Sequence, residues 1–371
     1  MERRIKLLFV IENSCYGGGE KTFSLLVRGL PKDKFEIFCA SRPTGRFHEE
    51  VRDGCRFLPL DLSNRIDPRN IGRLADIMRG NGIDVAHSQG ARADFYCALA
   101  AARAGVKAVS TVAMPVEGFE VGRLRKKIYL ALNAFAEKKI TRFITLGGVL
   151  RDLLVEGHGV PPGKVDMIPN PAVLDGVPGP GDAVRGEFGL KGGSVIAAAG
   201  RLVEQKGFDI LIDALELLGG SAPGILGEVK CVIAGAGPLE ARLRRRAASL
   251  GNRIVFAGFR DDMRGFLSSA DLFVLPSRSE GQPLVLLEAM SLAKPVLAAD
   301  LPGIKEIIED GINGVLFRTG DPAALAEKLE AILADRQAAA RMGGRAAETA
   351  SRFTLGSFLA AHERVYRELT G

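Results

Sequence analysis

The 371-residue sequence predicts an α/β fold: two doubly wound parallel-sheet domains facing a cleft, with a terminal helix that crosses back to the first domain. Three observations predict it. Short apolar runs rich in Val, Ile and Leu alternate with stretches of helical apolar spacing, the pattern of parallel strands buried on both faces. A Pro- and Gly-rich segment, N-P-A-V-L-D-G-V-P-G-P-G-D, interrupts the alternation after residue 169, and the alternation then restarts. The last three helical stretches, 322–334, 336–351 and 355–369, have no strand between them, which frees the final helix to brace the first domain.

In chain order, residues 5–11 form an apolar strand that runs into the turn E-N-S-C-Y-G-G-G. Residues 20–30 follow as a helix with Phe23, Leu26, Val27 and Leu30 on one face. Strands are expected at 35–40, 83–87, 108–112 and 142–146, and helices at 91–103, 123–139 and 149–156. After the linker come strands at 194–199, 229–234, 254–256, 272–275, 295–298 and 315–317, with helices at 208–218 and 239–250 between them. The expected domains are therefore 1–172, a linker over 173–193, 194–352, and a returning helix over 353–371.

Composition excludes several classes. Hydrophobic residues make up 47% and charged residues 25%, which is ordinary for a globular chain and wrong for disorder or collagen. The five cysteines, Cys15, Cys39, Cys55, Cys97 and Cys231, are odd in number and hold no C-x-x-C pair. They argue against a disulfide framework or a structural zinc site and for a reducing, cytoplasmic location. The apolar run after M-E-R-R is too short for a signal peptide, and no stretch approaches a membrane span.

Charge is uneven. Residues 1–170 hold 27 Lys and Arg against 19 Asp and Glu, net +8, while the remainder holds 23 against 25, net −2. A basic first half suits an anionic partner. With no Trp and no RNP-like or zinc-finger pattern, nucleic acid is not that partner. The expected helix 123–139 opens with Arg123, Arg125, Lys126 and Lys127, carries Ile128, Tyr129, Leu132 and Phe135, and closes with Lys138 and Lys139. That pattern fits peripheral contact with an anionic membrane at its inner face, and equally a sheet-covering helix with solvated charges.

Four motifs carry chemistry. Gly17, Gly18 and Gly19 lie between the first strand and first helix, where backbone N–H groups and the helix dipole favour a phosphate; a flexible turn is the bland alternative. Gly235, Ala236 and Gly237 occupy a similar place in the second half, but Glu240 stands where a third glycine would and no acidic residue follows at the spacing a dinucleotide needs. A structural turn is the better reading. Arg201 and Lys206, in G-R-L-V-E-Q-K-G after the strand 194–199, can both face a diphosphate, the Arg as a fork and the Lys as a point charge. Glu280 and Glu288, in S-E-G-Q-P-L-V-L-L-E-A-M, flank a helix start at Pro283. A carboxylate within so apolar a helix needs a polar partner, and sugar or ribose hydroxyls are suitable ones.

The Glu280 to Glu288 spacing resembles the E-x7-E motif of the family-4 retaining glycosyltransferases, which have the GT-B fold of two Rossmann-like domains. G-R-L-V-E-Q-K-G resembles their diphosphate segment and G-G-G-E their N-terminal loop. D-V-A-H-S-Q-G-A-R-A, V-I-A-G-A-G-P-L and A-K-P-V-L-A-A-D-L-P-G-I-K-E-I-I-E-D-G-I-N-G are similar too, in the same order along nearly the whole chain. The resemblance implies that Arg201 and Lys206 hold the donor diphosphate and that Glu280 contacts sugar hydroxyls. It places the backbone of Gly281, Gln282, Pro283 and Leu284 near sugar and phosphate, Glu288 on the ribose, and Gly18 and Gly19 on the diphosphate from the other domain. Two departures stand out. Ala113 and Met114 occupy the place of a common V-H-G histidine, and Gln89 replaces the second His of an H-x-H segment, leaving His87 as the one candidate imidazole for a sugar or acceptor.

The resulting expectation is a retaining, metal-independent hexosyltransferase. It would move a sugar from a UDP-, GDP- or ADP-sugar to a glycan or lipid-linked saccharide of cell-envelope polysaccharide or lipopolysaccharide assembly, with no cofactor. A nucleotide-sugar epimerase, a nicotinamide oxidoreductase and a non-catalytic GT-B binding protein are the alternatives.

Overall fold

A computed structural model describes residues 3–12, 16–62, 67–114, 134–174, 181–189 and 192–371. Its contacts divide into two compact units. One comprises Met1–Asn170 together with Gly356–Gly371, and the other Pro171–Leu355.

The first unit is built on a seven-stranded sheet whose described pairs are all parallel. Its strands are β1 (Ile5–Ile11), β2 (Phe35–Ser41), β3 (Arg56–Pro59), β4 (Val85–Gln89), β5 (Lys107–Val112), β6 (Arg142–Thr145) and β7 (Val165–Met167), in the order β3-β2-β1-β4-β5-β6-β7. The chain moves outward from β1 in one direction and returns to lay β4 on its other side, so the strand order reverses between β1 and β4. In open α/β sheets that reversal leaves a crevice at the carboxyl ends of the two strands.

The second unit repeats the plan with β8 (Ser194–Ala199), β9 (Val229–Ala234), β10 (Ile254–Gly258), β11 (Leu272–Leu275), β12 (Val296–Ala299) and β13 (Val315–Phe317). Their order is β10-β9-β8-β11-β12-β13, with the reversal between β8 and β11. The central strands β8, β11 and β12 are buried at every residue, which is why their sequences S-V-I-A-A-A, L-F-V-L and V-L-A-A are unbroken runs of small and apolar residues.

The segment expected as a linker contributes a helix, Gly181–Glu187, to the second unit. Val184 is buried in that unit's core, and Arg185 donates to the Ser269 carbonyl at 2.9 Å and pairs with Asp271 at 2.7 Å. β3 and the helix Arg69–Asn81 were not expected from the sequence. β3 is a short edge strand with exposed ends, and the helix buries only Leu74, Ala75 and Met78 among its apolar residues, with Gly72 and Gly80 diluting its periodicity.

The C-terminal helix Leu355–Thr370 belongs to the first unit. Gly29, in the last turn of the helix Gly18–Gly29, makes room for it: a Cβ there would lie 2.6 Å from a Leu359 methyl. Tyr366 is fully buried among Phe9, Phe35 and His87, and Lys34 and Arg142 pair with Glu363 and Glu368 along the helix flank. Most of the basic helix expected over 123–139 lies outside the described residues. Residues 134–137 are helical. Among the described residues no helix is long and apolar enough to cross a membrane.

Candidate functional site

In the second unit the predicted residues gather at the strand reversal. The chain leaves β8 through Gly200 and Arg201, which is exposed, and makes a short 3-10 turn, Glu204–Lys206. Gly207 ends the turn with φ 64°, and any Cβ there would stand 2.0 Å from the Pro276 carbonyl oxygen, so only glycine lets this loop lie against the one leaving β11. The two loops are then laced together. The Arg278 N–H donates to the Gln205 carbonyl at 2.8 Å, the Gln205 amide to the Ser279 carbonyl at 2.9 Å, and the Arg278 guanidinium to the Glu204 carbonyl at 2.9 Å. Arg278 also forks onto Asp209 at 2.8 and 2.7 Å. Burial alone would raise that carboxyl, but the guanidinium outweighs it and holds the pKa below its ordinary value.

This lacing brings Lys206 to Glu280. Lys206 Nζ lies 2.6 Å from Glu280 Oε1, and Ser277 Oγ donates to the same oxygen at 2.7 Å. The carboxylate side chain is 5% exposed and that of the lysine 18%. A nearly buried carboxylate is tolerable because a cation and a hydroxyl satisfy it. Gly281, Gln282, Pro283 and Leu284 are buried and lead into the helix Leu284–Ser291, with Pro283 as its N-cap. Behind them, a Cβ on Gly303 would come within 2.1 Å of the Gly281 carbonyl oxygen, so the backbone here is held against backbone. Glu288 is only 3% exposed, one turn into the helix.

Gly235 and Gly237 form the structural turn that was expected of them. The Gly235 N–H donates to the Gly258 carbonyl at 2.7 Å and the Leu202 N–H to that of Ala236 at 3.0 Å, which props the segment carrying Arg201. Sequence reasoning missed Ser277, Gln205 and Arg278. The available signal was their position within a few residues of a strand end, on the loops that already held Lys206 and Glu280.

At the first unit's reversal, Gly17 caps the helix Gly18–Gly29, its N–H donating to Glu20 Oε2 at 2.9 Å. Gly18 and Gly19 stand in the first turn, beside Gln89 at the end of β4. Ala113 and Met114 follow β5 directly.

His87 is enclosed by its neighbours. It is buried, with Nδ1 2.7 Å from the Tyr366 hydroxyl and Nε2 2.8 Å from Thr111 Oγ1, and burial followed by the nearby His362 holds its pKa well below the ordinary value. Nδ1 meets the C-terminal helix through Tyr366 and Nε2 meets β5 through Thr111, so both ring nitrogens are occupied within the first unit and neither is open to a sugar, contrary to the expectation for His87. On the sheet's other face, Ser88 Oγ donates to Asp94 Oδ1 at 2.6 Å. Burial raises the Asp94 carboxyl to about 7, opposed by Ser88 and Ser110 and reinforced by the charge of Glu137.

Comparison with known proteins agrees with this architecture. Residues 17–171 match the family described as glycosyl transferase 4-like domain, and residues 193–335 the one described as glycosyl transferases group 1. The chain is 27% identical over 308 residues to an Escherichia coli UDP-Gal:alpha-D-GlcNAc-diphosphoundecaprenol alpha-1,3-galactosyltransferase, covering 79% of this chain and 78% of that one. It is 36% identical over 213 residues to a D-inositol 3-phosphate glycosyltransferase of Nocardia farcinica. That match covers 54% of this chain and 47% of that protein, so it spans about half of the relative's length. Among solved structures, Anabaena HepE in complex with UDP-glucose superposes with a TM-score of 0.83 at 21% identity, over 98% of this chain and 99% of that one. Sucrose-phosphate synthase of Thermosynechococcus elongatus gives 0.81 at 18% identity, over 99% of each. These two share the fold.

Two Rossmann-like units of one strand order, the second with a lysine–carboxylate pair at its switch point, define the class: a glycosyltransferase. Within it, the chain belongs to the group 1, family-4 glycosyltransferases of GT-B fold.

Proposed function

We propose that this protein transfers a sugar, with retention and without a metal or cofactor, from a nucleotide diphosphate-sugar to a lipid-linked or lipopolysaccharide-type saccharide of the cell envelope. The observation that carries the donor half is the Lys206–Glu280 pair, fixed at the carboxyl edge of β8 and β11 by loops that donate to each other's backbone. A cation held in place before the reaction can meet the charge developing on a departing diphosphate without reorganising, the largest single source of catalysis in sites of this kind. Arg201 supplies a second, forked cation. Glu280 has a second carboxylate oxygen with which to accept sugar hydroxyls, and in this reading Glu288 accepts from the ribose.

In this reading the bond from the anomeric carbon to the diphosphate breaks and a bond to the acceptor oxygen forms on the same face. The acceptor proton goes to the leaving phosphate oxygen. No side chain need act as nucleophile or base.

The acceptor class rests on the relatives: the E. coli protein is named for a diphosphoundecaprenol-linked saccharide, and a Rhizobium meliloti relative for lipopolysaccharide core biosynthesis. Phe135, 53% exposed and followed by the exposed Lys138 and Lys139, supports peripheral contact of the first unit with an anionic membrane on the cytoplasmic side.

A thermal-shift screen of UDP-, GDP- and ADP-sugars tests the donor. One of them at 100 times its dissociation constant should stabilise the fold by about 2.7 kcal/mol. Proton NMR of the product then reports the anomeric configuration, and EDTA should leave the rate unchanged. No shift with any nucleotide sugar would overturn the reading.

A further inference from the structure

The strand reversal of the first unit holds an unexplained polar group. Along β4, side chains alternate between the two faces of the sheet. Ser88 bonds Asp94 on the helix Ala91–Ala104, so His87 and Gln89 project to the opposite face. The helix Gly18–Gly29 covers that face, Phe23 lying 4.9 Å from the His87 ring. Gln89 is the last residue of β4, flanked by Ile11 at the end of β1 and by Thr111. Its carboxamide lies against the first turn of the helix: a Cβ on Gly19 would be 3.1 Å from Nε2 and 3.6 Å from Oε1. Glycine at position 19 therefore admits this side chain to the helix N-terminus, where Lys21 is the first residue whose N–H reaches an intrahelical carbonyl, that of Gly17 at 3.0 Å.

Gln89 is only 9% exposed, yet its Oε1 is buried with no hydrogen-bond partner among the described residues. Turning the carboxamide over would exchange an orphaned acceptor for an orphaned donor. Leaving such an atom unpaired destabilises the free protein, and an apolar side chain of the same length would avoid that cost. Of the orphaned atoms among the described residues, this one lies beside the β1–β4 reversal, at the crevice where α/β folds take ligands. A neutral carboxamide suits a neutral ligand group that both donates and accepts. Resting on the transferase reading, we propose that Gln89 is a specificity-determining residue of the first unit, its carboxamide hydrogen-bonding a hydroxyl of the substrate saccharide. Gly19 keeps the space for it.

The test separates ligand binding from stability through Gln89→Met, an unbranched apolar replacement of equal length. The variant is expected to melt at or above the wild-type temperature. It should lose about tenfold or more in affinity for the saccharide-bearing ligand, and its affinity for free UDP or GDP should be unchanged. Two probes distinguish the source of the hydroxyl. Weaker binding of UDP-glucose, UDP-galactose or GDP-mannose places it on the donor sugar. A raised KM for a short-chain prenyl diphosphate N-acetylglucosamine, with donor affinity intact, places it on the acceptor.

Gln89→Glu keeps the accepting oxygens and should restore part of what Gln89→Met loses. Equal responses of wild type and Gln89→Met to both probes overturn the proposal. So does a loss of melting temperature shared by Gln89→Met and Gln89→Glu with ligand responses intact, or lost equally in both, since either pattern makes Gln89 a packing residue. A wild-type protein that answers to no nucleotide sugar overturns the transferase reading instead.

Discussion

Replacing Lys206 by Met should damage stability and catalysis through different physics, and a double-mutant cycle can separate them. In the single variant Glu280 keeps only the Ser277 hydroxyl, while its side chain stays 5% exposed. Removing one partner of a buried pair costs about 3–5 kcal/mol. The lysine is 18% exposed, so water can partly replace it, and about 3 kcal/mol is the better figure. That corresponds to a fall of roughly 6–12 °C in the melting temperature of the second unit. Glu280→Gln leaves the Lys206 ammonium without its counter-charge, but the amide oxygen can still accept from Ser277 and Lys206 and the lysine is partly open to water, so it should cost only about 1–2 kcal/mol. The double variant Lys206→Met/Glu280→Gln should then be more stable than Lys206→Met alone, because no carboxylate is left unpaired. Turnover should not recover with it: loss of one preorganised donor costs roughly 10²–10³ in kcat. Urea unfolding and steady-state kinetics on the four proteins give both cycles. Additive stabilities would refute the coupling, and a kcat within threefold of wild type in Lys206→Met would refute the diphosphate role.

Three further outcomes are expected. Glu288→Ala should raise the donor dissociation constant by about 10- to 100-fold with little change in kcat, because ribose contacts persist from ground to transition state; an unchanged calorimetric affinity would remove Glu288 from the site. Tyr366→Phe takes the hydroxyl from buried His87 Nδ1 and should cost about 1–2 kcal/mol. Hydrogen exchange should quicken along Leu355–Thr370, and unaltered protection would mean the helix is held by packing alone. The Asp94 carboxyl is raised by burial to about 7 from 3.8, so the folded state holds a proton that the unfolded chain releases, and this group withdraws stability as pH rises from about 4 to about 7. Asp94→Asn should therefore gain on the order of 2 kcal/mol over wild type at pH 8 and much less at pH 4.5. Parallel urea midpoints at the two pH values would show the carboxyl to be ordinary.

Much of the second unit is written locally. β8, β11 and β12 have no polar face, and the loops that follow β8 and β11 carry charged residues that nothing in the apolar runs around them explains. Lys206 and Glu280 could therefore be read as site residues, although their pairing depends on a register between loops more than seventy residues apart. β3 and the helix Arg69–Asn81 stayed hidden because an edge strand and a helix at the sheet's margin bury too little to impose a pattern. His87 was misread for a different reason. Its partner Tyr366 is 279 residues away on a helix that folds back onto the sheet. A histidine at a strand end looks functional until the residue that covers it is known. Gln89, two residues on, shares its face but lies at the rim.

The two reversals solve different problems with one strand order. At the second, Lys206 and Glu280 sit 2.6 Å apart and largely cancel each other's field at a distance. In the proposed reading, net attraction for a dianionic diphosphate comes from Arg201 and from the N–H groups opening the helix Leu284–Ser291, while the pair fixes where the positive end points. Such a division suits transfer better than a bare cluster of cations. A site that bound the ground-state diphosphate too strongly would lower the donor's dissociation constant without lowering the barrier. A lysine already restrained by its carboxylate adds most when the leaving oxygen gains charge and can compete for its protons. In the proposed site, Glu280 does more than accept sugar hydroxyls: it tempers Lys206 so that the lysine's bonding strengthens toward the transition state, and the loop lacing through Arg278 and Gln205 keeps that tempering geometric.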